Sequence, residues 1–529
     1  MGRNPSVGGS VHLGCDKTAS PGSSFPYYLL SPSCVWDLAT TRGGLAVVLG
    51  LALIIVVRYF RSPWRRVPPG PRGLPLIGNA LELRDKLWLF HRDCKQKYED
   101  MIYLNALGQP ILVLNSLKAV AELFDRRGNI YSSRPRLIMA QEICAGNLLF
   151  PFLSHVDDRW RRGRRAAHQG LTKAAVRGYH NVLRKEGILL TSALLADPGA
   201  SEKHFQRTTT SATMSILYDY PTLRTEDNKT VNEIIAYTER ISMTAAPGAY
   251  LVELFPWMLH IPERFARWKY EGNRDFTRFN NMFESLFNRV LSALSEGSER
   301  PSICASLLKG SDHNQLSHQE MAWVAGALFG AGADTTSTTM SWWALAMIAH
   351  PEVQKRAHVE LDTVVGRSRA PTFSDAPNLP YIQVIVKEVL RWRPALPFSL
   401  PHSTTEDDWY NGMFIPKGTI CLTNLLQCHR DPSSYGDDAA NFRPERFLGA
   451  HGEIIPGPAE THEEGHSTYG IGKRACVGKH VANESLFIYI ATALWALTLE
   501  RVRDEDGNEV LLDVDAFVDT GMSLYAYYS

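Results

Sequence analysis

The segment from Ser317 to His350 constrains the fold more than any other part of the chain. It opens with Ser317-His-Gln-Glu320, a capping-box pattern that starts a helix, and Pro351 ends it. A helix of this length measures about 50 Å. Its middle, Ala322 to Ala333, is apolar on nearly every side, which predicts burial. We therefore expect a large domain that one buried helix crosses from side to side.

The chain from residue 76 onward has mainly helical patterns with a few short strands. Two strands, Met101 to Leu104 and Ile111 to Leu114, flank a connection containing Gly108-Gln109-Pro110 and predict a β-hairpin. Amphipathic stretches predict helices around 157–196, 228–243 and 273–296. The predicted fold class is mainly α with small β-sheets, and residues 76–529 are predicted to form one domain.

Composition excludes several classes of protein. The 56 basic and 55 acidic residues balance, so nucleic acid is not an expected partner. The 8 cysteines form no CxxC pair, so neither a disulfide framework nor a zinc site is indicated. This pattern is typical of a reducing compartment, where a single cysteine in a special setting is the more informative feature.

An apolar run near the N-terminus, Gly43 to Val57, predicts a membrane anchor. Extended over residues 43–60 it is long enough to span a bilayer. The basic flank that follows it (Arg58, Arg61, Arg65 and Arg66) places the rest of the chain in the cytosol by the positive-inside rule. A secretory signal peptide is disfavoured because the run begins some 40 residues in and Arg58 closes it. A buried core helix is the other alternative.

Two segments flank the predicted anchor. Residues 1–42 form an N-terminal extension, rich in Gly, Ser and Pro at first, that would be lumenal. Residues 61–75 form a basic and proline-rich hinge, whose four prolines between 67 and 75 forbid a helix and predict a semi-rigid spacer.

The segment Tyr469-Gly-Ile-Gly-Lys-Arg-Ala-Cys-Val-Gly478 precedes a helical pattern from Lys479 to Leu497. Its glycines permit tight turns and the close approach of a flat ligand. A helix N-terminus beside Cys476, together with Arg474, is expected to lower the pKa of the thiol. These properties suit an axial ligand of heme iron. The residues alone also allow a catalytic nucleophile, a phosphate-binding loop or an inert buried cysteine.

This segment resembles the heme-binding signature of the cytochrome P450 family, F-G-x-G-x-R-x-C-x-G, with Tyr469 in place of the phenylalanine. The resemblance implies the cytochrome P450 fold and heme b, with Cys476 as the axial thiolate ligand of the iron. It also implies that Tyr469, Arg474 and Gly478 line the cofactor. The Tyr469 hydroxyl would need a hydrogen-bond partner.

In the long helix, Ala331-Gly-Ala-Asp-Thr-Thr336 resembles the oxygen-activation motif of the same family. By resemblance Ala331 lies against the heme, Thr335 hydrogen-bonds dioxygen and a water, and Asp334 relays protons for O–O cleavage. The stretch is rich in weak helix formers, which could open locally or bond back to the i−4 carbonyl. Alone, it would equally be a small-residue crossing point between helices.

Two further motifs occur in the order of the family. Glu388-Val-Leu-Arg391 and the Pro-Glu-Arg446-Phe segment resemble the E-x-x-R and P-E-R-F motifs, which implies a buried structural network of Glu388, Arg391 and Arg446. Without the resemblance, Glu388 and Arg391 would be a surface pair.

Trp160-Arg-Arg-Gly-Arg164 resembles W-x-x-x-R, so Trp160 and Arg164 are expected to donate to a heme propionate, with His402 as a further donor. The basic residues nearby are either a solvated face or a docking surface for an acidic reductase: Arg161, Arg162, Arg165, Lys473 and Lys479.

The resemblance, from about Pro68 to the C-terminus, implies a microsomal, single-pass monooxygenase of the endoplasmic reticulum. It implies electrons from NADPH through a cytochrome reductase, with cytochrome b5 as a second donor. The substrate would be small and hydrophobic (aromatic, polyketide or terpenoid-like), in secondary metabolism or xenobiotic oxidation. Segments such as Tyr131-Ser-Ser-Arg-Pro135 and His480 to Ser485 look most like fungal members. Predicted cavity lining is Leu137 to Phe152, 240–258, Leu328 to Thr336, Ala395 to Leu400 and Thr520 to Ser523.

Two other functions compete with this interpretation. A heme-thiolate isomerase or dehydratase would need no reductase, but it would also not need the proton-delivering pair Asp334 and Thr335. A non-catalytic heme-binding protein is disfavoured by the same motif and by an anchor that suits a membrane-bound reductase.

Overall fold

The computed structural model describes residues 42–82, 94–95, 97–98, 100–224, 228–246, 248–298, 300–310, 315–504, 506–510, 517–519 and 524–526. The predicted extension over residues 1–42 lies almost wholly outside them. The chain divides into two compact units, Met1–Arg65 and Arg66–Ser529. The boundaries predicted at residues 42, 60 and 75 stay predictions.

The described part of the first unit is dominated by helix α1 (Arg42–Arg61), which a short 3₁₀ turn, Pro63–Arg66, follows. Its apolar side chains are exposed, Leu53 by 63% and Ile55 by 66%. The stretch Leu45–Arg66 is long and apolar enough to cross a membrane and none of it is buried. The alternative of a buried core helix is therefore wrong.

The second unit is mainly helical, as the sequence predicts. Its longer helices are α2 (Asp158–Leu171), α3 (His180–Ala196), α4 (Ser201–Tyr218), α5 (Lys229–Ala245), α6 (Arg267–Ser295), α7 (Ile303–Lys309), α8 (His318–Ala349), α9 (Pro351–Val364), α10 (Pro380–Trp392) and α11 (Lys479–Ala496). Short helical turns connect them, among them Gly128–Tyr131, Ile138–Ile143, Phe150–Phe152, Leu251–Leu254, Pro444–Phe447 and Gly472–Arg474.

The strands form small sheets. They are β1 (Met101–Ala106), β2 (Gln109–Leu114), β3 (His402–Ser403), β4 (Asp408–Tyr410), β5 (Met413–Ile415), β6 (Ile420–Thr423), β7 (Phe517–Asp519) and β8 (Leu524–Ala526). One sheet has the order β1-β2-β6-β3, and β4-β5 and β7-β8 are hairpins.

The predicted β1–β2 hairpin is confirmed and is longer than expected. Met101 pairs with Leu114 and Ala106 with Gln109 in an antiparallel register. Leu107 and Gly108 both have positive φ, 53° and 87°, which matches the right-handed twist of a two-residue hairpin. In the second unit the predicted hinge lies along this sheet, where the Tyr103 N–H donates to the Pro69 carbonyl over 2.9 Å.

Helix α8 forms the centre of the main core, within one residue of its predicted start and end. The Ser317–Glu320 capping box is present. Trp323 and Trp343 are fully buried. Gly326 allows α6 to approach closely, because a Cβ there would lie 2.5 Å from the Phe283 ring.

Two predicted helices differ from the observed ones. The amphipathic stretch 157–196 is divided into α2, a short helix Lys173–Val176, a 3₁₀ turn Arg177–Tyr179 and α3. The division begins at Thr172, whose hydroxyl accepts the Ala175 N–H and starts a new helix after α2. The predicted 273–296 helix begins six residues earlier, at Arg267 of α6. The 228–243 prediction matches α5, which Asn228 caps.

Candidate heme site

The loop that carries Cys476 is a tight turn ahead of α11. The Cys476 N–H donates to the Tyr469 carbonyl over 2.6 Å and closes the loop. Gly472 has a φ of 70°, and a Cβ there would lie 2.3 Å from the Phe124 carbonyl oxygen, so only glycine fits. Helix α11 begins directly after Gly478. The sequence therefore places a thiol at the end of a glycine-rich turn, as its motif predicts.

The surroundings of Cys476 differ from those of the other described cysteines. Cys476 is exposed, whereas Cys144, Cys421 and Cys428 are buried. Yet burial by the protein around it raises the pKa of the Cys476 thiol. Exposed surface and strong desolvation occur together when a side chain faces an interior space rather than bulk solvent.

The balance of charge at Cys476 corrects one expectation. Burial raises the pKa of the thiol overall, whereas the Gly478 N–H and the Arg164 charge lower it. We expected Arg474 and the helix N-terminus to lower the pKa. The cations that lower the pKa of Cys476 are Arg164 and Lys479 rather than Arg474, and burial outweighs them and the Gly478 N–H. A metal ion bound to sulfur would reverse the balance, because coordination deprotonates a thiol.

Three half-buried arginines near this loop have no carboxylate partner among the described residues. Arg164 donates to the Ala475 carbonyl over 2.5 Å. Arg134 and Arg474 also donate to backbone carbonyls, those of Ser132, Pro151, Leu153, Leu400 and Pro401. Burial lowers the pKa of all three, and the charges of Arg134 and Arg164 further lower that of Arg474. Since a guanidinium stays protonated in proteins, the cluster holds uncompensated positive charge.

Trp160 completes this cluster. Its ring is 8% exposed and lies 4.4 Å from the Arg474 guanidinium carbon and 6.0 Å from that of Arg164. Trp160 and Arg164 thus share one face of α2, as the i, i+4 spacing predicts. A flat ligand with two carboxylates would neutralise the arginines while a metal at its centre met the thiol. Heme b, with two propionates and an iron, has that chemistry, so the residues present fit it.

His402 lies beside the cluster, and Nε2 of its neutral ring can accept a hydrogen bond. Its Nδ1 is 2.9 Å from the Tyr131 carbonyl, so Nδ1 donates and the neutral ring leaves Nε2 as an acceptor. Burial, followed by the charges of Arg134 and Arg474, lowers the pKa of His402 well below its ordinary value. His402 would donate to a propionate only when protonated, which a nearby anion favours.

Arg134 was missed by the sequence reasoning. It lies in the segment Tyr131–Pro135, which was noted only for its similarity to fungal family members. Its three carbonyl partners are 17 to 267 positions away in the sequence. The sequence did offer one signal for a cation at the site, because a basic residue precedes the predicted apolar lining, Leu137 to Phe152. That signal could not show whether the basic residue at the site is Arg134 or Arg136, and Arg136 is paired with Glu142.

The centre of α8 presents the oxygen-activation motif. Ala331 is exposed, and Asp334 and Thr335 are half-buried, although the helix on both sides is buried. The Thr335 hydroxyl donates to the Ala331 carbonyl over 2.8 Å, as the predicted back-bonding requires. The expected local opening is not observed, since α8 continues unbroken through His318–Ala349. The stretch is also a close crossing of helices, because a Cβ on Gly330 would lie 3.2 Å from the Thr238 hydroxyl.

The Glu388 network is buried and more extensive than its motifs predict. Arg391 binds both Glu388 carboxylate oxygens at 2.7 Å, and Arg446 donates to one of them at 3.1 Å. Asp438, which the sequence did not single out, pairs with Arg446 at 3.2 Å. The Arg443 N–H donates to Glu388 at 2.7 Å. These bonds fix α10 to the turn Pro444–Phe447.

The predicted substrate lining divides between core and surface. Met139 and Phe150 are buried in the main core. In the 240–258 region Val252 is buried, whereas Trp257 is 65% exposed. Thr520 to Ser523 lies outside the described residues. A surface groove of about 540 Å³, lined by residues between 263 and 270, contains none of the predicted lining.

Comparison with known proteins agrees with this site. The family model for cytochrome P450 matches residues 68–514. A cytochrome P450 monooxygenase of the fungus Armillaria gallica is 50% identical over 477 residues, which covers 89% of this chain and 91% of that protein. Cytochrome P450 monooxygenase 58 of Postia placenta is 42% identical, with 94% of each chain covered.

A solved structure, a zebra fish cytochrome P450 with progesterone, shows the same fold. Its TM-score is 0.69 at 23% identity, and the match covers 84% of this chain and 99% of that one. The family model, the relatives and the fold all identify the same family. This chain belongs to the cytochrome P450 family, whose members bind heme through a cysteine thiolate and incorporate oxygen into their substrates.

Proposed function

We propose that this protein uses Cys476 as the axial ligand of heme b and oxidises a small hydrophobic substrate with electrons from NADPH. When bound, the heme supplies the activation of dioxygen and the insertion of one oxygen atom. The observation that carries the proposal is the pairing of one exposed thiol with an arginine cluster that has no acidic partner among the described residues.

Different residues would bind the metal and the propionates of the cofactor. Cys476 would bind the metal through its sulfur, and the Gly478 backbone N–H lowers the pKa of that thiol. Trp160, Arg164 and Arg474, joined by Arg134, would hold the propionates, and His402 would add a donor when protonated. These charge-assisted contacts are the strong class of hydrogen bond.

Helix α8 would supply the polar groups for oxygen activation. The Thr335 hydroxyl, which now donates to the Ala331 carbonyl, can rotate to donate to dioxygen or to a water. Asp334 would pass protons to it from solvent, since its side chain is half-buried rather than sealed in the core. Ala331, small and exposed, would leave room for dioxygen and substrate.

A membrane-bound reductase, with cytochrome b5 as a second donor, would dock near the Cys476 loop. Of the predicted docking cations, Arg162 pairs with Asp158 and Glu320, and Lys479 pairs with Glu464. Arg161, Arg165 and Lys473 are exposed and form no ion pair among the described residues. They are therefore the cations best suited to an acidic partner.

The anchor would set the location. Helix α1, followed by the basic Arg65 and Arg66, suits a single span with the catalytic unit on the cytosolic side of the endoplasmic reticulum. The setting we propose is secondary metabolism or xenobiotic oxidation. Aromatic, polyketide and terpenoid compounds are the substrate classes to screen first.

The test uses purified full-length protein in a substrate-binding spectral screen, then product analysis with reductase and NADPH added. We expect a spectral shift with at least one class and a product one oxygen atom heavier than the substrate. Product formation without reductase or NADPH would favour an isomerase or dehydratase instead.

A further inference from the structure

Tyr469, the one departure from the family signature, has a specific partner for its hydroxyl. The hydroxyl lies 2.7 Å from Asn483 Oδ1, in the second turn of α11. The Asn483 amide nitrogen donates to Glu464 Oε2 over 3.1 Å. Since a carboxylate only accepts, this contact fixes the orientation of the Asn483 amide and makes Tyr469 the donor.

The chain of bonds continues to charged groups on two helices. Lys479, at the start of α11, pairs with the Glu464 carboxylate at 2.9 Å. Lys387 of α10 donates to the carbonyls of Glu463 and Glu464, both at 2.8 Å. Although burial raises the pKa of Glu464, the bonds from Lys479 and Asn483 and the two lysine charges lower it overall, so Glu464 stays ionised.

Tyr469 is also the residue that closes the Cys476 loop. Its carbonyl accepts the Cys476 N–H at 2.6 Å, so any displacement of Tyr469 shifts the backbone of Cys476. A phenylalanine would leave the ring held only by packing, for example against His466, whose ring centre is 5.3 Å away. The hydroxyl adds a directional bond that fixes the loop to α11.

We propose that Tyr469, Asn483 and Glu464 form a clamp that positions the Cys476 loop and slows the loss of its thiolate from the metal. Tyr469 is a positioning residue in this clamp, since it acts through the backbone of Cys476. The inference rests on the proposed function, in which Cys476 is the axial ligand.

The experiment follows the reduced, carbon monoxide-bound holoprotein in urea below its unfolding transition. The rate measured is that at which the red-shifted Soret band of thiolate ligation gives way to the band of the form without the thiolate. Tyr469→Phe is expected to raise this rate about fivefold, the effect of one hydrogen bond of about 1 kcal/mol. Asn483→Leu, which removes both hydrogen bonds of Asn483, to Tyr469 and to Glu464, should raise it about tenfold or more.

The double variant tests the clamp itself. If the two side chains act as a unit, Tyr469→Phe with Asn483→Leu should convert no faster than Asn483→Leu alone. Multiplied effects would show that the two residues act separately and would overturn the clamp.

A matched control removes a buried tyrosine hydroxyl elsewhere. The Tyr179 hydroxyl donates to the Gly170 carbonyl at 3.1 Å rather than to a residue of the loop or of the clamp. Tyr179→Phe should leave the conversion rate unchanged. A wild-type rate in Tyr469→Phe, or an equal acceleration in Tyr179→Phe, would overturn the inference. A wild-type protein that never shows the red-shifted band would overturn the proposed function and this inference with it.

Discussion

At the residue scale, the feature that most needs a ligand is the arginine cluster. Arg134 and Arg474 both donate to the Pro151 carbonyl, at 3.1 and 3.3 Å, so two like charges share one acceptor. Like charges about 4 Å apart repel by roughly 4 kcal/mol at an effective dielectric constant of about 20. Neither has an acidic partner among the described residues. Two propionates would turn this repulsion into attraction.

Arg134→Gln should therefore weaken the hold on heme. Loss of one charge-assisted contact is expected to speed heme release at least about tenfold, measured by transfer of heme to an excess of apomyoglobin. Arg136→Gln is the control, because Arg136 is exposed and pairs with Glu142. Equal release rates for Arg134→Gln and wild type would remove Arg134 from the cofactor site.

Thr335→Ala should uncouple NADPH use from product formation. Without the hydroxyl, proton delivery slows, and product formed per NADPH consumed is expected to fall about tenfold or more. Thr338→Ala is the control, since its hydroxyl makes the same kind of back-bond, to the Asp334 carbonyl at 2.9 Å, but is fully buried. Unchanged coupling in Thr335→Ala would rule out its proposed role.

At the element scale, α10 is fixed by one carboxylate. Glu388 accepts bonds from Arg391, Arg446 and the Arg443 N–H, while Arg391 also donates to three backbone carbonyls. Both Glu388 and Arg391 are fully buried. The charges are therefore costly to leave unpaired, and the network holds α10 in a single position.

Glu388→Gln should destabilise the protein strongly. Removing the charge leaves the buried Arg391 without its counter-ion and Arg446 with Asp438 alone, at an expected cost of about 3–5 kcal/mol in the free energy of unfolding, measured by urea denaturation. Glu271→Gln, which breaks the exposed Arg267–Glu271 pair, should change stability by less than about 0.5 kcal/mol. A similar loss in both variants would contradict the importance of burial here.

The sequence predicted those elements whose signals are local. The start of α8 follows from its capping box, and the β1–β2 hairpin follows from its turn. The break at Thr172 was missed, because a threonine cap within an amphipathic run is a weak signal against the helical period around it.

The candidate site was predictable where a motif sets the spacing, as for Trp160 and Arg164. Asp438 and Arg134 were not predictable, because their partners are distant in sequence. Arg134 donates to the backbone carbonyls of Pro151 and Leu400. Because every residue has a backbone carbonyl, no sequence pattern identifies these two as its partners. The chemistry of a buried hydroxyl predicts that Tyr469 has a hydrogen-bond partner. Only the folded structure identifies that partner as Asn483.

At the scale of the whole molecule, the anchor and the catalytic unit are separate. The second unit contains every described residue of the candidate site. Deleting residues 1–66 should move the protein from the membrane pellet to the supernatant and leave its heme spectrum unchanged, because an exposed apolar span no longer binds lipid. Continued tight association would reveal a second attachment surface, for which exposed Trp257 and Phe265 are the candidates.

The central claim is that the Cys476 thiolate binds heme iron, and the spectrum of the reduced, carbon monoxide-bound protein tests it most directly. If Cys476 is the ligand, the wild type should show the red-shifted Soret band of thiolate ligation, and Cys476→Ser should lose it. The matched variant Cys421→Ser, at a buried cysteine within strand β6 of the sheet, should keep the band. A histidine-type spectrum in the wild type, or a red-shifted band that survives Cys476→Ser, would show that Cys476 is not the ligand.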